Sequence, residues 1–212
     1  MIPLSRNEFV IKYYPFVKSI TSGTGIFIET LLAQAILESQ GKVNGVYLVG
    51  GSLLAKNYNN LFGIKASSGW KGAAVNLKTR EVFANQSVNI VDSFRVYNSP
   101  EESMKDYVNF LKVNPRYTKA GVFEAKSYKD QAAALQKGGY ATDPNYATLV
   151  GKLGDQVRSI INEGIKKGLI SDAGTIKPNS FFFLTLAALS YLLYKTLKKW
   201  ALYSLLKQEP TT

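Results

Sequence analysis

Apolar residues near the N-terminus fall at helical intervals. Phe9, Tyr13, Phe16, Val17 and Ile20 share one face. Ser5 followed by Glu8 has the spacing of a capping box, in which two side chains satisfy backbone N–H groups at a helix start. The pattern predicts a first helix, bent or broken near Pro15, because proline lacks the N–H that a helix interior uses. After Ser22-Gly23-Thr24-Gly25, the stripe Ile28, Leu31, Leu32, Ala35 and Ile36 predicts a second helix with one buried face. Glu38 lies at its C-terminal end, just before Gly41.

The pattern then changes. From Gly41 to Tyr97 the chain is rich in Gly, Asn and Ser, with short β-prone pieces such as Ala73-Ala74-Val75 and Glu81-Val82-Phe83. A short helix over residues 52–57 and a small β-hairpin over about residues 70–97 are expected. Helical spacing returns at Ser99-Pro100-Glu101-Glu102, which offers a capping serine, a proline at the first helical position and two carboxylates facing the helix dipole. Met104, Tyr107, Val108 and Leu111 supply the buried face of that helix. Ser127 with Asp130 starts another, and Asp143-Pro144 starts a third that runs to about Lys167, where Gly168 ends it; Asp143 is expected to serve mainly as a cap. The order implies an α+β fold, mostly α, with one β-hairpin lobe inserted after a helix that ends in Glu, an arrangement suited to a two-lobed cleft.

Composition narrows the chemistry. Hydrophobic residues make up 46% of the 212 positions and charged residues 19%, so a packed core is expected. Histidine and cysteine are both absent. That removes the Ser-His-Asp triad, the Cys-His pair and the usual His- or Cys-ligated zinc sites, leaving carboxylate chemistry with Tyr as an available helper; no metal and no cofactor are expected. The net charge of +11 favours polyanions in general, but no nucleic-acid motif and no dense basic run accompanies it, so no nucleic-acid partner is expected.

Glycoside hydrolysis needs a carboxylic acid to protonate the leaving oxygen and usually a second carboxylate. Glu38 fits the first role by position, since burial at the end of an apolar helix raises a carboxyl pKa. A solvated residue in a last helical turn is the alternative reading of the same spacing. The blocks Leu32-Ala33-Gln34-Ala35-Ile36-Leu37-Glu38-Ser39, Asn60-Leu61-Phe62-Gly63-Ile64-Lys65, Phe94-Arg95-Val96-Tyr97-Asn98-Ser99, Asp106-Tyr107, Asn114-Pro115-Arg116-Tyr117 and Gly138-Gly139-Tyr140-Ala141-Thr142-Asp143-Pro144-Asn145-Tyr146-Ala147 follow in that order. Together they resemble the family 73 glycoside hydrolases, which include autolysin glucosaminidase domains and the peptidoglycan hydrolase domain of flagellar rod assembly.

The resemblance implies a lysozyme-like fold and cleavage of a β-1,4 bond next to N-acetylglucosamine in bacterial peptidoglycan. It makes Glu38 the catalytic acid. Glu81, in Thr79-Arg80-Glu81-Val82, matches the family's proposed second carboxylate, although a route assisted by the sugar's N-acetyl group needs no protein nucleophile; an exposed strand residue pairing with a cross-strand cation is the other reading of Glu81. Tyr140 matches a cleft tyrosine able to orient the N-acetyl group or the attacking water, and Asn60, Phe62, Tyr117 and Tyr146 are implied to bind substrate or shape its cleft; core aromatics are the other reading of Tyr140 and Tyr117. Where relatives often continue Glu-Ser-Gly-Trp-Gly, this chain has Glu38-Ser39-Gln40-Gly41-Lys42, which puts substrate preference in question. A muramidase, a lytic transglycosylase, and a non-catalytic wall-binding or structural virion protein are the competing functions.

The C-terminal region reads differently. Residues 1–167 form the expected hydrolase domain, 168–179 a linker, and 180–206 a hydrophobic helix that anchors the chain to a membrane. Residues 180–194 carry no charge, and Lys195, Lys198 and Lys199 follow on one helix face. The stretch is short for a span, so a tilted span and a partly interfacial helix both fit. The residues from Met1 to Glu8 show no export signal. A muralytic domain with a membrane anchor suggests a phage protein used in infection or lysis, with virion components as possible partners, located at a virion membrane or the bacterial inner membrane with the catalytic domain facing the wall.

Overall fold

The computed structural model describes residues 1–83 and 86–171, without the side chains of residues 79–83 and 86–89. Seven helices and two β-hairpins make up that part: α1 (Arg6–Thr21), α2 (Ile28–Ser39), β1 (Gly41–Val43), β2 (Val46–Leu48), α3 (Leu53–Tyr58), β3 (Ala74–Phe83), β4 (Gln86–Arg95), α4 (Pro100–Val113), α5 (Pro115–Lys119), α6 (Tyr128–Lys137) and α7 (Tyr146–Lys166). The architecture is α+β and mostly helical, as the sequence pattern implies.

α1 opens with the expected capping box, with the Ser5 N–H donating to Glu8 Oε2 at 2.9 Å and the Glu8 N–H donating to Ser5 Oγ at 3.3 Å. It does not break at Pro15, which sits inside a continuous helix. The missing hydrogen bond and ring clash cost about 3 kcal/mol. Phe9, Val10, Tyr13, Tyr14 and Val17 are all buried on this helix, and at roughly 1.5–3 kcal/mol for each buried large side chain their packing outweighs that cost.

α2 lies at the centre of the helical layer and packs against α7, α1 and α6. Leu31, Leu32 and Ile36 from α2 join Phe9 and Val17 from α1, Met104 and Leu111 from α4, and Val157 from α7 in one core. α6 and α7 approach closely because Gly154 has no side chain; a Cβ there would lie 2.6 Å from the Tyr128 ring. Ser99 and Ser127 cap α4 and α6 as expected, accepting from the N–H groups of Glu102 and Asp130. α7 starts later than expected, at Tyr146. Asp143 accepts from the Asn145 N–H at 2.8 Å, so it shapes the turn into the helix instead of capping it.

The sequence reading placed no structure between Gly41 and Leu48, where β1 and β2 pair antiparallel with Lys42 opposite Tyr47. Their turn is Asn44-Gly45, with φ of 49° and 86°, the double positive φ that matches strand twist in a two-residue hairpin. The larger hairpin is β3–β4, in register from Ala74 opposite Arg95 to Phe83 opposite Gln86. Its base is tied to the helical part by Asn60, whose Nδ2 donates to the carbonyls of Ile64 at 3.0 Å and Arg95 at 2.9 Å, while Oδ1 accepts from the Ile64 N–H at 3.0 Å.

Gly168 ends α7 with a φ of 68°, but the folded unit does not stop there. The Leu169 N–H donates back to the Gly164 carbonyl at 2.8 Å, and Ile170 is only 1% exposed. The start of the expected linker is therefore part of the core, because the left-handed turn at Gly168 directs an apolar pair onto α7. The rest of that linker and the whole expected anchor at 180–206 lie outside the described residues. Among the described residues no helix is long and apolar enough to cross a membrane.

Replacing Asn60 by Ala removes all three bonds of the staple and orphans a buried N–H. A loss of roughly 2–4 kcal/mol of unfolding free energy is expected, read from urea or thermal unfolding, and an unchanged midpoint would show that the hairpin base is held by other contacts.

Candidate active site

Glu38 occupies the last turn of α2. The next residue, Ser39, is fully buried and fixes the end of that helix: its hydroxyl donates to the Ala35 carbonyl at 2.5 Å and accepts from the Gly50 N–H at 3.1 Å, and its own carbonyl accepts from the Ser52 N–H at 2.9 Å. Glu38 is thus carried on rigid backbone. Its carboxyl is largely withdrawn from water, and that burial raises its pKa above the ordinary glutamate range; a hydrogen bond from the Tyr146 hydroxyl to Oε1, at 3.2 Å, acts in the opposite direction and is the smaller influence. Among the described residues no cation forms an ion pair with it.

Three tyrosines, Tyr146, Tyr140 and Tyr107, lie near this carboxyl on the side of the helical layer, with Tyr117 behind them. Tyr146, the first residue of α7, is the one bonded to Glu38. Tyr140, from the loop between α6 and α7, stacks on Tyr146 with ring centroids 5.7 Å apart and lies 6.1 Å from Tyr107 and 6.2 Å from Tyr117. Phe62 stacks on Tyr107 at 4.1 Å. Burial raises the pKa of all four phenols, so they stay neutral and act as hydrogen-bonding groups and not as bases. The Tyr140 hydroxyl is buried and has no hydrogen-bond partner among the described residues. Such a group costs stability unless a water or ligand completes it.

The structure brings Glu38, Tyr140 and Tyr146 together, with Phe62 packed one ring behind them against Tyr107. It spends the side chains of two other expected substrate-binding residues elsewhere. Asn60 is 1% exposed and its amide is engaged by backbone; Tyr117 is 0% exposed and accepts from Arg116 Nη2 at 2.5 Å. Both can shape the cleft only through what they hold in place. Glu81 lies on β3 opposite Val88, and its side chain is outside the described residues.

One residue of the site escaped the sequence reading. Gln34 is fully buried on α2, one turn before Glu38, and donates from Nε2 to the Tyr146 hydroxyl at 2.6 Å while accepting from the Tyr107 hydroxyl. A single amide inside the apolar stripe was the available signal, because a buried amide requires polar partners.

Comparison with known proteins identifies the family of the chain. The family model described as mannosyl-glycoprotein endo-beta-N-acetylglucosaminidase matches residues 14–159. Peptidoglycan hydrolase FlgJ of Escherichia coli is 40% identical over 137 residues, which are 65% of this chain and 42% of the relative; the chain thus spans less than half the length of that protein. The glycoside hydrolase domain of FlgJ from Salmonella typhimurium superposes with a TM-score of 0.57 at 31% identity, covering 77% of this chain and 95% of that domain. The catalytic domain of the autolysin Auto from Listeria monocytogenes superposes with a TM-score of 0.61 at 31% identity, covering 76% and 89%. With an acid-bearing helix, a tyrosine-lined site and a family match that spans both, the chain belongs to the glucosaminidase family, family 73 of the glycoside hydrolases.

Proposed function

We propose that the chain hydrolyses the β-1,4 bond on the reducing side of N-acetylglucosamine in peptidoglycan, with Glu38 as general acid. The observation that carries this reading is the raised pKa of a carboxyl fixed at a helix end and bonded to one neutral phenol. Protonated Glu38 gives its proton to the glycosidic oxygen as the bond to the anomeric carbon breaks. The oxocarbenium-like centre is then captured by water with Glu81 as base, or by the Glu81 carboxylate or the substrate's own N-acetyl oxygen, in which cases water hydrolyses the adduct in a second step with Glu38 acting as base. The partnerless Tyr140 hydroxyl suits a hydrogen bond to the N-acetyl group or the incoming water.

Products identify the bond. Peptidoglycan digested by the full chain, reduced with borohydride and analysed by mass spectrometry, is expected to yield N-acetylglucosaminitol ends. Muramitol ends would mean a muramidase, and anhydromuramic ends a lytic transglycosylase. Glu38→Gln cannot donate a proton and is expected to lower kcat by about 10²–10⁴-fold; unchanged lysis would move the acid elsewhere, and a wild type that binds walls without cutting them would indicate a non-catalytic role.

The pKa direction also has a sign for stability. A carboxyl raised on folding binds its proton more tightly in the native state, so stability is lost as pH climbs from the unfolded pKa through the folded one. Glu38→Gln lacks this penalty and is expected to melt above wild type at neutral pH, with the gap closing in acid. Activity of the wild type falls as pH rises through the same titration.

Tyr140→Phe separates chemistry from packing. Its hydroxyl has no partner among the described residues to lose, so the variant is expected to match or exceed wild-type stability while kcat falls roughly 10- to 100-fold. A variant with full activity would show that the hydroxyl does not engage the reaction.

The same proposal places the apolar segment 180–206 in a membrane, with peptidoglycan as substrate on the far side from Lys195, Lys198 and Lys199. The fifteen uncharged residues 180–194 support this, and wall cleavage beside a membrane suits phage infection or lysis. The protein is expected to sediment with membranes and resist extraction by alkaline carbonate; recovery only in the soluble fraction would refute the anchor.

A further inference from the structure

We infer that Gln34 is a positioning residue that sets which oxygen of Glu38 carries the catalytic proton. The inference rests on the reading of Glu38 as general acid and concerns a side chain that does not touch the substrate.

The hydrogen bonds inward of Glu38 run in one direction. The Tyr107 hydroxyl donates to Gln34 Oε1, Gln34 Nε2 donates to the Tyr146 oxygen at 2.6 Å, and the Tyr146 hydroxyl donates to Glu38 Oε1 at 3.2 Å. A phenol has one proton. Because the Gln34 NH₂ faces the Tyr146 oxygen, that proton has no acceptor on the Gln34 side and is committed to Glu38 Oε1. A proton arriving at Glu38 therefore resides on Oε2, which has no hydrogen bond among the described residues. With the amide reversed, its carbonyl would take the Tyr146 proton, the phenol oxygen would turn acceptor towards Glu38, and the acid would point its own proton inward at Oε1, away from a leaving group.

The surroundings leave the polarity of this chain to Gln34. The titratable groups facing Glu38 are Tyr146 from α7, Tyr107 from α4 and Tyr140 from the loop before α7, with Tyr117 from α5 behind them; all are neutral, and the Arg116 guanidinium is spent on the Tyr117 hydroxyl. The side chain of Glu81, on β3, is outside the described residues. Gln34 and Tyr107 are fully buried, so water does not compete for these bonds. Donation from Nε2 also polarises the Tyr146 hydroxyl and strengthens its bond to ionised Glu38.

The test is Gln34→Met in the full chain, which keeps length and volume but removes the amide. The kcat on peptidoglycan is expected to fall about tenfold with KM within about twofold, and the basic limb of the pH profile to move to higher pH because the charged form of Glu38 loses support. Tyr146→Phe should shift the limb the same way, and the double variant should match Tyr146→Phe alone, since the two residues act in series. A ¹³C-carboxyl NMR titration of Glu38 reads the same shift without substrate. An unmoved Glu38 titration in Gln34→Met, or losses in kcat that multiply, overturns the relay. Should Gln34→Met not fold, Gln34→Leu is read by the same titration with the same outcomes. If wild type releases no N-acetylglucosaminitol ends, the proposed reaction fails, whereas the titration still judges the relay.

Discussion

A carboxyl group withdrawn from water at the end of an apolar helix is the constraint around which this fold is arranged. Ionisation there is disfavoured by burial, and the hydrogen bond that Glu38 receives among the described residues comes from the neutral phenol of Tyr146. A cation in its place would hold the carboxyl ionised. Burial instead shifts the carboxyl towards its protonated form, at a cost in stability that the surrounding core must offset.

That core does so by fixing α2 from several sides. α1, α6 and α7 pack on it, and Ser39 ties its last turn to the Gly50–Ser52 backbone. Gln34 is the polar exception within the packed face, and it is tolerated because Tyr107 and Tyr146 complete its hydrogen bonds. The residues that stabilise the helix and those that orient the acid are consequently the same small set: Tyr107 is at once a core aromatic of α4, a stacking partner of Phe62 and the outer end of the chain leading to Glu38.

Much of this was legible in sequence, and the exceptions have physical causes. Periodicity found the buried faces of α1, α2 and α4, and serine caps found the starts of α4 and α6, because those signals are local. Pro15 does not break α1, since its local cost is overruled by tertiary burial that no local pattern reports. Asn44-Gly45 is a hairpin signal, but the strands beside it have only three residues each, too few to show an alternating pattern. Ile170 joined the core through a single left-handed turn at Gly168, where composition alone suggested a linker. At the site, residue identity pointed to Glu38 and Tyr140. It did not separate Asn60 and Tyr117, whose polar groups bond within the protein, from Tyr140, whose hydroxyl has no partner among the described residues. Only three-dimensional bookkeeping of donors and acceptors separates those cases.

The same bookkeeping bears on how the two halves of the proposed mechanism are held. Glu38 stands on a helix locked into the core, while Glu81 lies seven residues along β3 from Ala74. At about 3.3 Å per residue that is a lever of roughly 23 Å from the base of the hairpin. A two-stranded hairpin has little stability of its own in water, so its pose depends on its root: the Asn60 staple, and Arg95, which pairs with Asp106 at 2.7 Å and lies over the Trp70 ring at 4.5 Å. Tyr97 adds a hydroxyl bond to the same Asp106 oxygen at 2.6 Å. A rotation of only ~10° at that root displaces the Glu81 backbone by about 4 Å, which is comparable with the difference in carboxylate spacing between retaining and inverting glycosidases. The stereochemical course open to a second carboxylate on β3 is therefore governed less by Glu81 itself than by buried contacts at the hairpin root, and these join three of the sequence blocks that first marked the family: Asn60 to Lys65, Phe94 to Ser99, and Asp106-Tyr107.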